Sequence, residues 1–491
     1  MEKDLANWQL LTFHADEEGT TPMNLLKTRS LVTVSFLALS TACALAVEDL
    51  STMRGANYVP SYAKNDVAIW MDYDLVVIDR ELGYAERLKL NTVRVFLNQA
   101  VYEHNPKQFL ERLENFLSLC DKHKIRAMPV LFDSCFDPQV VDLKDYREKT
   151  WIPSPGFSRL GEKDRPAMTE YVHAVVGGHK DDRRIIVWDV MNEPESTQHW
   201  GDLEKGGRET IDQFVRWALR RVREEKATQP LTVGWAGPGA NIASIDLVDV
   251  ICLHLYCPEK DLKREVQQGQ HWGRLHDKQV ILNEFVGQPF QPLEAALSIV
   301  AERKIGWAFW ELMLGKSQFS QGSAPYQGHI YPDGSCRSVR EVAAILHPEG
   351  YTGDPREIAA KAGFRPRTFT EEGITFEGAW QRWDGKGPAG DRLWHAGNAD
   401  DSATKTVSGS TIAVVFKHGP DCGIARISLD GKPASTAEID TYSKDVDWNR
   451  RTVVAQNLPA GQHTVTITVA GRQSPQSTFR YVQVVDIVGQ P

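Results

Sequence analysis

The sequence predicts a (β/α)8 TIM barrel followed by an antiparallel β-sandwich of jelly-roll type. Two observations carry this. Between about residues 50 and 350, eight short apolar runs alternate with amphipathic segments; after about 350 the pattern changes to short alternating runs separated by Gly, Pro, Asp and Asn. At 491 residues the chain is also too long for one ordinary core, which fits one large and one smaller domain.

Taken in order, the chain begins with a polar, acidic stretch, residues 1–22, and then an exported protein's leader. From Met23, Lys27 and Arg29 give a positive start, Leu31 to Leu39 an apolar stretch, and Ala44-Leu45-Ala46 a small-residue cleavage site. The uncharged run is short for a membrane span, so a secretory signal within residues 1–46 is expected, with Met23 as the start or 1–22 as a genuine extension. Cys43 follows Ser-Thr-Ala, a poor lipoprotein box, so a periplasmic or extracellular protein without a lipid anchor is expected.

The eight strand candidates are MRGANYVP, NTVRVFL, IRAMPVLF, IIVWDVMN, PLTVGWA, VDVICLHLY, QVILNEF and IGWAFWELM. They are almost continuously apolar, as strands buried on both faces of a parallel sheet must be. Helical patterns fall between them: IDRELGYAERLKL, PKQFLERLENFLSLCDKHK, RETIDQFVRWALRRVREEKA and PLEAALSIVAERK. In the second, Phe109, Leu113, Phe116, Leu117 and Cys120 recur at helical spacing, and Pro106 suits the first turn. Eight strands in series with helices over about 300 residues match a closed barrel. The absence of a glycine-rich phosphate loop weighs against a doubly wound sheet, and GPGAN at 237–241 reads as a turn. The barrel is placed at 47–362. The bridge PEGYTGDPREIAAKAGFRPR leads to the sandwich at 363–491, with runs such as STIAVVFKHG and HTVTITVAG.

Composition narrows the partners. A net charge of −9 and no basic, aromatic-interleaved patch argue against a nucleic-acid partner. Fourteen tryptophans supply broad faces that suit sugar rings, although most belong in cores. The six cysteines beyond the leader, Cys120, Cys135, Cys252, Cys257, Cys336 and Cys422, lack zinc spacing, leaving one or two disulfides or buried thiols. His271 and His276 lack a metal site's neighbours, so neither metal nor organic cofactor is expected. Oligomeric state is not readable.

A barrel builds its site from the C-terminal ends of its strands. Those ends carry Arg94, Asp133, Asn192 with Glu193, His254 with Tyr256, Asn283 with Glu284, and Trp310 with Glu311. VWDVMNEP and VILNEFVG repeat one pattern, an apolar strand ending in Asn-Glu, on the fourth and seventh strands. Two carboxylates placed so face each other across the mouth, the arrangement that flanks a glycosidic bond. Arg94 and Tyr256 are the groups to keep Glu284 ionised. Glu311, next along from Trp310, is expected to point outward or into a salt bridge. Trp188 and Trp307 read as core; Trp151 and Trp200 are candidates for the cleft. The run at about 134–163 is long enough to wall off one end of it, which would favour exo action.

These residues resemble clan A of the glycoside hydrolases, and most of all glycoside hydrolase family 5, over roughly residues 50 to 350. The resemblance implies Glu193 as acid/base beside Asn192, and Glu284 as nucleophile. It implies Arg94, His254, Tyr256 and Trp310 as the rest of the site, with Asn192 on the sugar 2-hydroxyl and Trp310 as a stacking floor. The family usually carries a histidine close after the third strand; here the run is VLFDSCFDP, and Asp133 is the candidate in its place. That departure turns the expectation from a cellulase toward a β-mannosidase or a less typical branch. The expected protein is an O-glycosyl hydrolase retaining configuration on β-mannan- or β-glucan-type chains, of endo-β-1,4-mannanase, cellulase or β-mannosidase type. The alternatives are an exo-acting β-mannosidase and a non-catalytic carbohydrate-binding or adhesion protein; both glutamates being present speaks against the last. The sandwich resembles modules appended to polysaccharide hydrolases, with Trp380, Trp383 and Trp394 either stacking on sugar or in its core.

Overall fold

The eight predicted strands close into one ring. The structure, a computed structural model, describes residues 48–135, 143–197, 199–202, 206–286, 292–317, 327–384 and 392–491. The expected leader, with Cys43, lies outside the described residues. Strands β1 (Arg54–Asn57), β2 (Thr92–Phe96), β3 (Arg126–Asp133), β4 (Trp188–Asn192), β5 (Leu231–Gly234), β6 (Val250–Leu255), β7 (Gln279–Phe285) and β8 (Gly306–Phe309) pair in parallel, and β8 returns to β1. Between β5 and β6 the ring closes through Asp249 N donating to Leu231 O (2.8 Å) and Thr232 Oγ1 to Val250 O (2.8 Å).

Around this ring run α1 (Asp66–Met71), α2 (Leu75–Arg87), α3 (Gln99–His104), α4 (Pro106–Lys122), α5 (Arg165–Val175), α6 (Gly207–Glu224), α7 (Glu259–His276) and α8 (Leu293–Arg303). Their starts follow the sequence: Asp74 caps α2 by accepting from Val76 and Val77 N, and Asn105 caps α4 with Pro106 at its first position. The predicted stripe of α4 is buried, as periodicity requires.

Inside the ring, Met128, Cys252, Ile281 and Ala308 form an apolar layer, stopped from below by Leu50 and Met53. This layer fills the lower barrel, so polar groups above it are cut off from water on that side.

Two helices, α9 (Val339–Leu346) and α10 (Pro355–Lys361), lead to the sandwich, and Asp49–Pro491 pack as one unit. One antiparallel sheet has six strands: β9 (Thr368–Glu371), β10 (Ile374–Glu377), β13 (Ser402–Ser408), β18 (Gln462–Val469), β15 (Ile424–Leu429) and β16 (Lys432–Asp440). The other has five: β11 (Gln381–Asp384), β12 (Arg392–Ala396), β19 (Val482–Gln490), β14 (Thr411–His418) and β17 (Asp447–Ala455). Their inner faces bury Phe376, Ile412, Val414, Ile467 and Val484 between them. All six cysteines among the described residues are free thiols, and no helix among those residues is long and apolar enough to cross a membrane.

Candidate active site

Arg94 is the hub. It stands in the middle of β2, fully buried above the apolar layer. Its Nε donates to Asp189 Oδ2 (2.9 Å), Nη1 to Asn57 Oδ1 (2.9 Å) and to Glu284 Oε1, and Nη2 to Asn192 Oδ1 (2.7 Å). A buried guanidinium needs this many acceptors to offset its lost hydration. Asp189 and Glu284 outweigh burial and hold it charged.

Two β-bulges bring the partners round to it. β4 takes three steps, from Asp189 to Asn192, against two of β5, from Thr232 to Gly234, and β7 takes two, Leu282 to Glu284, against one of β6. Strict alternation would send Asp189 and Asn192 to opposite faces; the extra residue turns both inward. Gly234 leaves the space beside them. A Cβ there would meet His254 Nε2 at 2.7 Å and Asp189 Oδ2 at 3.1 Å.

The two glutamates meet across His254. Its Nδ1 lies 2.9 Å from Glu193 Oε1 and 3.3 Å from Glu284 Oε2. Tyr256 donates its hydroxyl to Glu284 Oε2 (2.7 Å), and the Cys135 thiol contacts Glu193 Oε2 (3.4 Å). Asn283, with its amide nitrogen toward His254, lies 3.1 Å from Nε2. Glu193 sits in a left-handed conformation, φ 35° and ψ 60°, its N–H on Gly234 O (2.7 Å). Such a backbone costs a non-glycine residue about 1–3 kcal/mol and persists where the surroundings impose it.

The electrostatics of the site follow from these contacts. Burial lifts the Glu284 carboxyl above its ordinary range, against the pull of His254, Arg94 and Tyr256. Burial pushes Glu193 up as well, but contacts from His254, Ser196 and Cys135 outweigh it and hold that carboxyl low. Burial and the two carboxylates drive the Tyr256 hydroxyl far up, so it remains a donor. The ligating atoms of Glu193, His254 and Glu284 lie within 4.8 Å of one another, a spacing a metal ion could also use. The Arg94 charge on Glu284 disfavours a cation there. A second such group, Glu114, His179 and Asp182, is crossed by Arg184, bonded to both carboxylates.

Arg94, Asn192, Glu193, His254, Tyr256 and Glu284 are therefore brought together. Asp133 supports them from the side: it accepts from Trp151 Nε1 (2.7 Å), Cys135 N (2.8 Å) and Asn192 Nδ2 (3.3 Å). Trp310, 4% exposed, meets Phe96 and Trp151 edge to face, with centroids 5.9 and 6.4 Å away. Glu311 corrects the outward expectation: it is fully buried and accepts from Ser317 Oγ (2.9 Å). β8 ends at Phe309, so strand alternation does not govern position 311. Trp188 and Trp307 are core, as expected, and Trp200 is half-buried against Trp235. In the sandwich, Trp380 and Trp394 are core beside Phe376, whereas Trp383 is half-buried and paired with Trp448 over Lys417.

Sequence reasoning passed over Asn57, Asp189 and Cys135 as site residues. The signal for Asp189 was present: opposite charges in the middle of two apolar strands, Arg94 and Asp189, need each other. Cys135 carried none.

A family model described as cellulase (glycosyl hydrolase family 5) matches residues 84–314. Solved structures that resemble the fold include three acting by name on mannosides or mannans. An exo-β-1,4-mannosidase from Opitutaceae bacterium strain TAV5 is 16% identical, with a TM-score of 0.48 over 65% of this chain and 63% of that one. An endo-1,4-β-mannanase from Rhizomucor miehei is 14% identical, TM-score 0.43, over 59% and 93%. A hyperthermostable endo-1,4-β-D-mannanase from Thermotoga petrophila RKU-1 is 14% identical, TM-score 0.41, over 60% and 98%. The match thus spans under two thirds of the mannosidase's length. No curated protein matches the sequence.

Proposed function

We propose, from the premise that this chain carries a family 5 glycosyl hydrolase domain over residues 84–314, that it hydrolyses β-mannan- or β-glucan-type chains with retention of configuration. One observation carries the mechanism: ligating oxygens of Glu193 and Glu284 lie within 4.8 Å of each other. Retaining pairs stand about 5 Å apart, whereas inverting pairs need about 6.5 Å or more to admit a water.

Glu284 attacks the anomeric carbon as the glycosidic bond breaks, and Glu193 gives its proton to the leaving oxygen. Water then attacks the glycosyl ester, Glu193 takes its proton, and Glu284 leaves as carboxylate. Geometry supports this assignment. Arg94 and Tyr256 place donors on both oxygens of Glu284, which favour the ionised nucleophile; Glu193, in contact with His254, Ser196 and Cys135 and with no guanidinium on it, is the carboxyl assigned to exchange a proton. Burial and the contacts of each carboxyl order the pair the other way, Glu284 raised and Glu193 lowered. Glycosylation of Glu284 removes its negative charge, and a low Glu193 suits the base of the second step. Asn192, fixed by Arg94 and Asp133, is the residue assigned to the sugar 2-hydroxyl.

The test is hydrolysis of aryl β-glycosides and β-glycans by wild type, Glu284→Ala and Glu193→Ala. Glu284→Ala is expected to lose about 10³-fold or more on every substrate. Glu193→Ala is expected to lose about 10²- to 10⁴-fold on poor leaving groups and much less on dinitrophenyl glycosides, which need no acid. A wild type no faster than Glu284→Ala would sink the proposal. The leader-like segment supports export; N-terminal sequencing of the secreted protein beginning near Val47 is the expected result.

A further inference from the structure

Between β4 and β7 the ring offers two ways out. One passes over β5 and β6, the other over β3, β2, β1 and β8. A glycan threaded between Glu193 and Glu284 must use both, so an enzyme that cuts within chains needs both open.

The second way is roofed. After β3 the chain returns across the mouth, and residues 143–157 are tied down strand by strand. At β3, Asp133 and Ser154 exchange backbone hydrogen bonds of 2.6 Å each way. Beyond β2, Gln99 N donates to Ser154 Oγ (2.7 Å). Beyond β1, Asp66 accepts from Ile152 N (3.1 Å) and Asn98 Nδ2 (2.6 Å), bridging the roof to two strand ends at once. Asn65 Nδ2 donates to the carbonyls of Tyr146 (2.8 Å) and Lys149 (3.1 Å), and Tyr146 OH to Asp72 Oδ1 (2.6 Å). At β8, Trp151 lies edge to face with Trp310 and Phe96, and Trp310 is left only 4% exposed. These are buried or part-buried carboxylate, amide and hydroxyl bonds rather than exposed ion pairs, so the roof is a fixed wall.

We infer that this wall makes the site a pocket for one chain end, so that the enzyme releases terminal sugars one at a time rather than cutting within the glycan. The inference rests on the glycosidase reading above. With one exit closed, only a terminal sugar reaches Glu284, and the remaining chain leaves over β5 and β6.

The experiment follows the products from β-1,4-linked mannopentaose and cellopentaose labelled at the reducing end, with viscosity of a soluble β-mannan in parallel. Monosaccharide as the first product, with labelled tetraose and a slow fall in viscosity, is expected. Di- and trisaccharides at the earliest times with a fast fall would overturn the inference while leaving the glycosidase reading intact. No cleavage of any oligosaccharide or aryl β-glycoside would overturn both. Trp151→Ala removes the wedge over Trp310 and is expected to raise disaccharide release about tenfold. Trp151→Phe, which keeps a ring there, is expected to retain monosaccharide release; equal product patterns in both variants would count against the wall.

Discussion

Tyr256 shows how one donor sets a working pH. Its hydroxyl bonds Glu284 Oε2, and it remains protonated because burial and two carboxylates oppose its ionisation. A donor to a carboxylate favours the charged form, so Tyr256→Phe raises the Glu284 pKa further. In the proposed mechanism Glu284 must be ionised to attack, and burial already places it above an ordinary carboxyl. The acid limb of kcat/KM in the variant is therefore expected at higher pH than in the wild type, with activity lost first on the acid side. A pH–rate profile of both proteins measures this; coincident acid limbs would refute the role. At this scale Glu193 and Glu284 were legible because Asn-Glu twice ends an apolar strand. Asp189 and Asn57 were less so, since reading them needs the bulge in β4 and the return of β8 to β1, which no local pattern records.

The helix α9 rests on a buried charge cluster with its own pH dependence. Glu341 accepts from Arg337 Nη2 (2.7 Å) and contacts His329 Nδ1 (2.9 Å), all three buried. Burial works against the Glu341 charge, but Arg337 and His329 outweigh it and pull the carboxyl down to about 2. A carboxyl depressed on folding contributes stability above its unfolded pKa, about 4.3, that is lost as pH falls toward 2. His329, lowered by burial, acts in the same direction from about 6.5 downward. Tm is expected to fall steeply below about pH 4.3, and less steeply in Glu341→Gln. That variant is itself expected to cost about 3–5 kcal/mol at pH 7 because it leaves Arg337 unpaired. Thermal melts between pH 7 and 3 compare the two. Among elements, all eight strands and the helices α2, α4, α6 and α8 were legible, whereas α1, α3, α5 and α7 around the ring went unnamed. For α7, Gly269 and Gly273 explain this: a Cβ on either would meet Leu253 Cδ1 or Lys278 O at 2.7 Å, so the helix packs partly by bare backbone and shows a diluted apolar stripe.

At the scale of the whole molecule, the sandwich is attached rather than tethered. Arg340 of α9 pairs with Asp400 (2.6 Å), which also receives Arg426 (2.8 Å), and Cys336 exchanges backbone bonds with Arg365 and Arg367. Each exposed pair contributes little alone. Together with the buried cluster of α9 beneath them, they predict that a chain ending at residue 362 melts below the full protein. Calorimetry of both decides it, and equal midpoints would show the barrel indifferent to its neighbour. The change from long apolar runs to short alternating ones was plain in the sequence; these cross-links were not, because charged residues far apart in the chain announce no partner.

The left-handed backbone at Glu193 has a consequence for inheritance. One base change turns a glutamate codon into a glycine codon, and glycine alone adopts that φ without cost. Selection for heat tolerance and selection for activity therefore pull opposite ways on a single codon. A lineage that drifts toward stability there keeps its barrel and loses the proposed acid/base in one step.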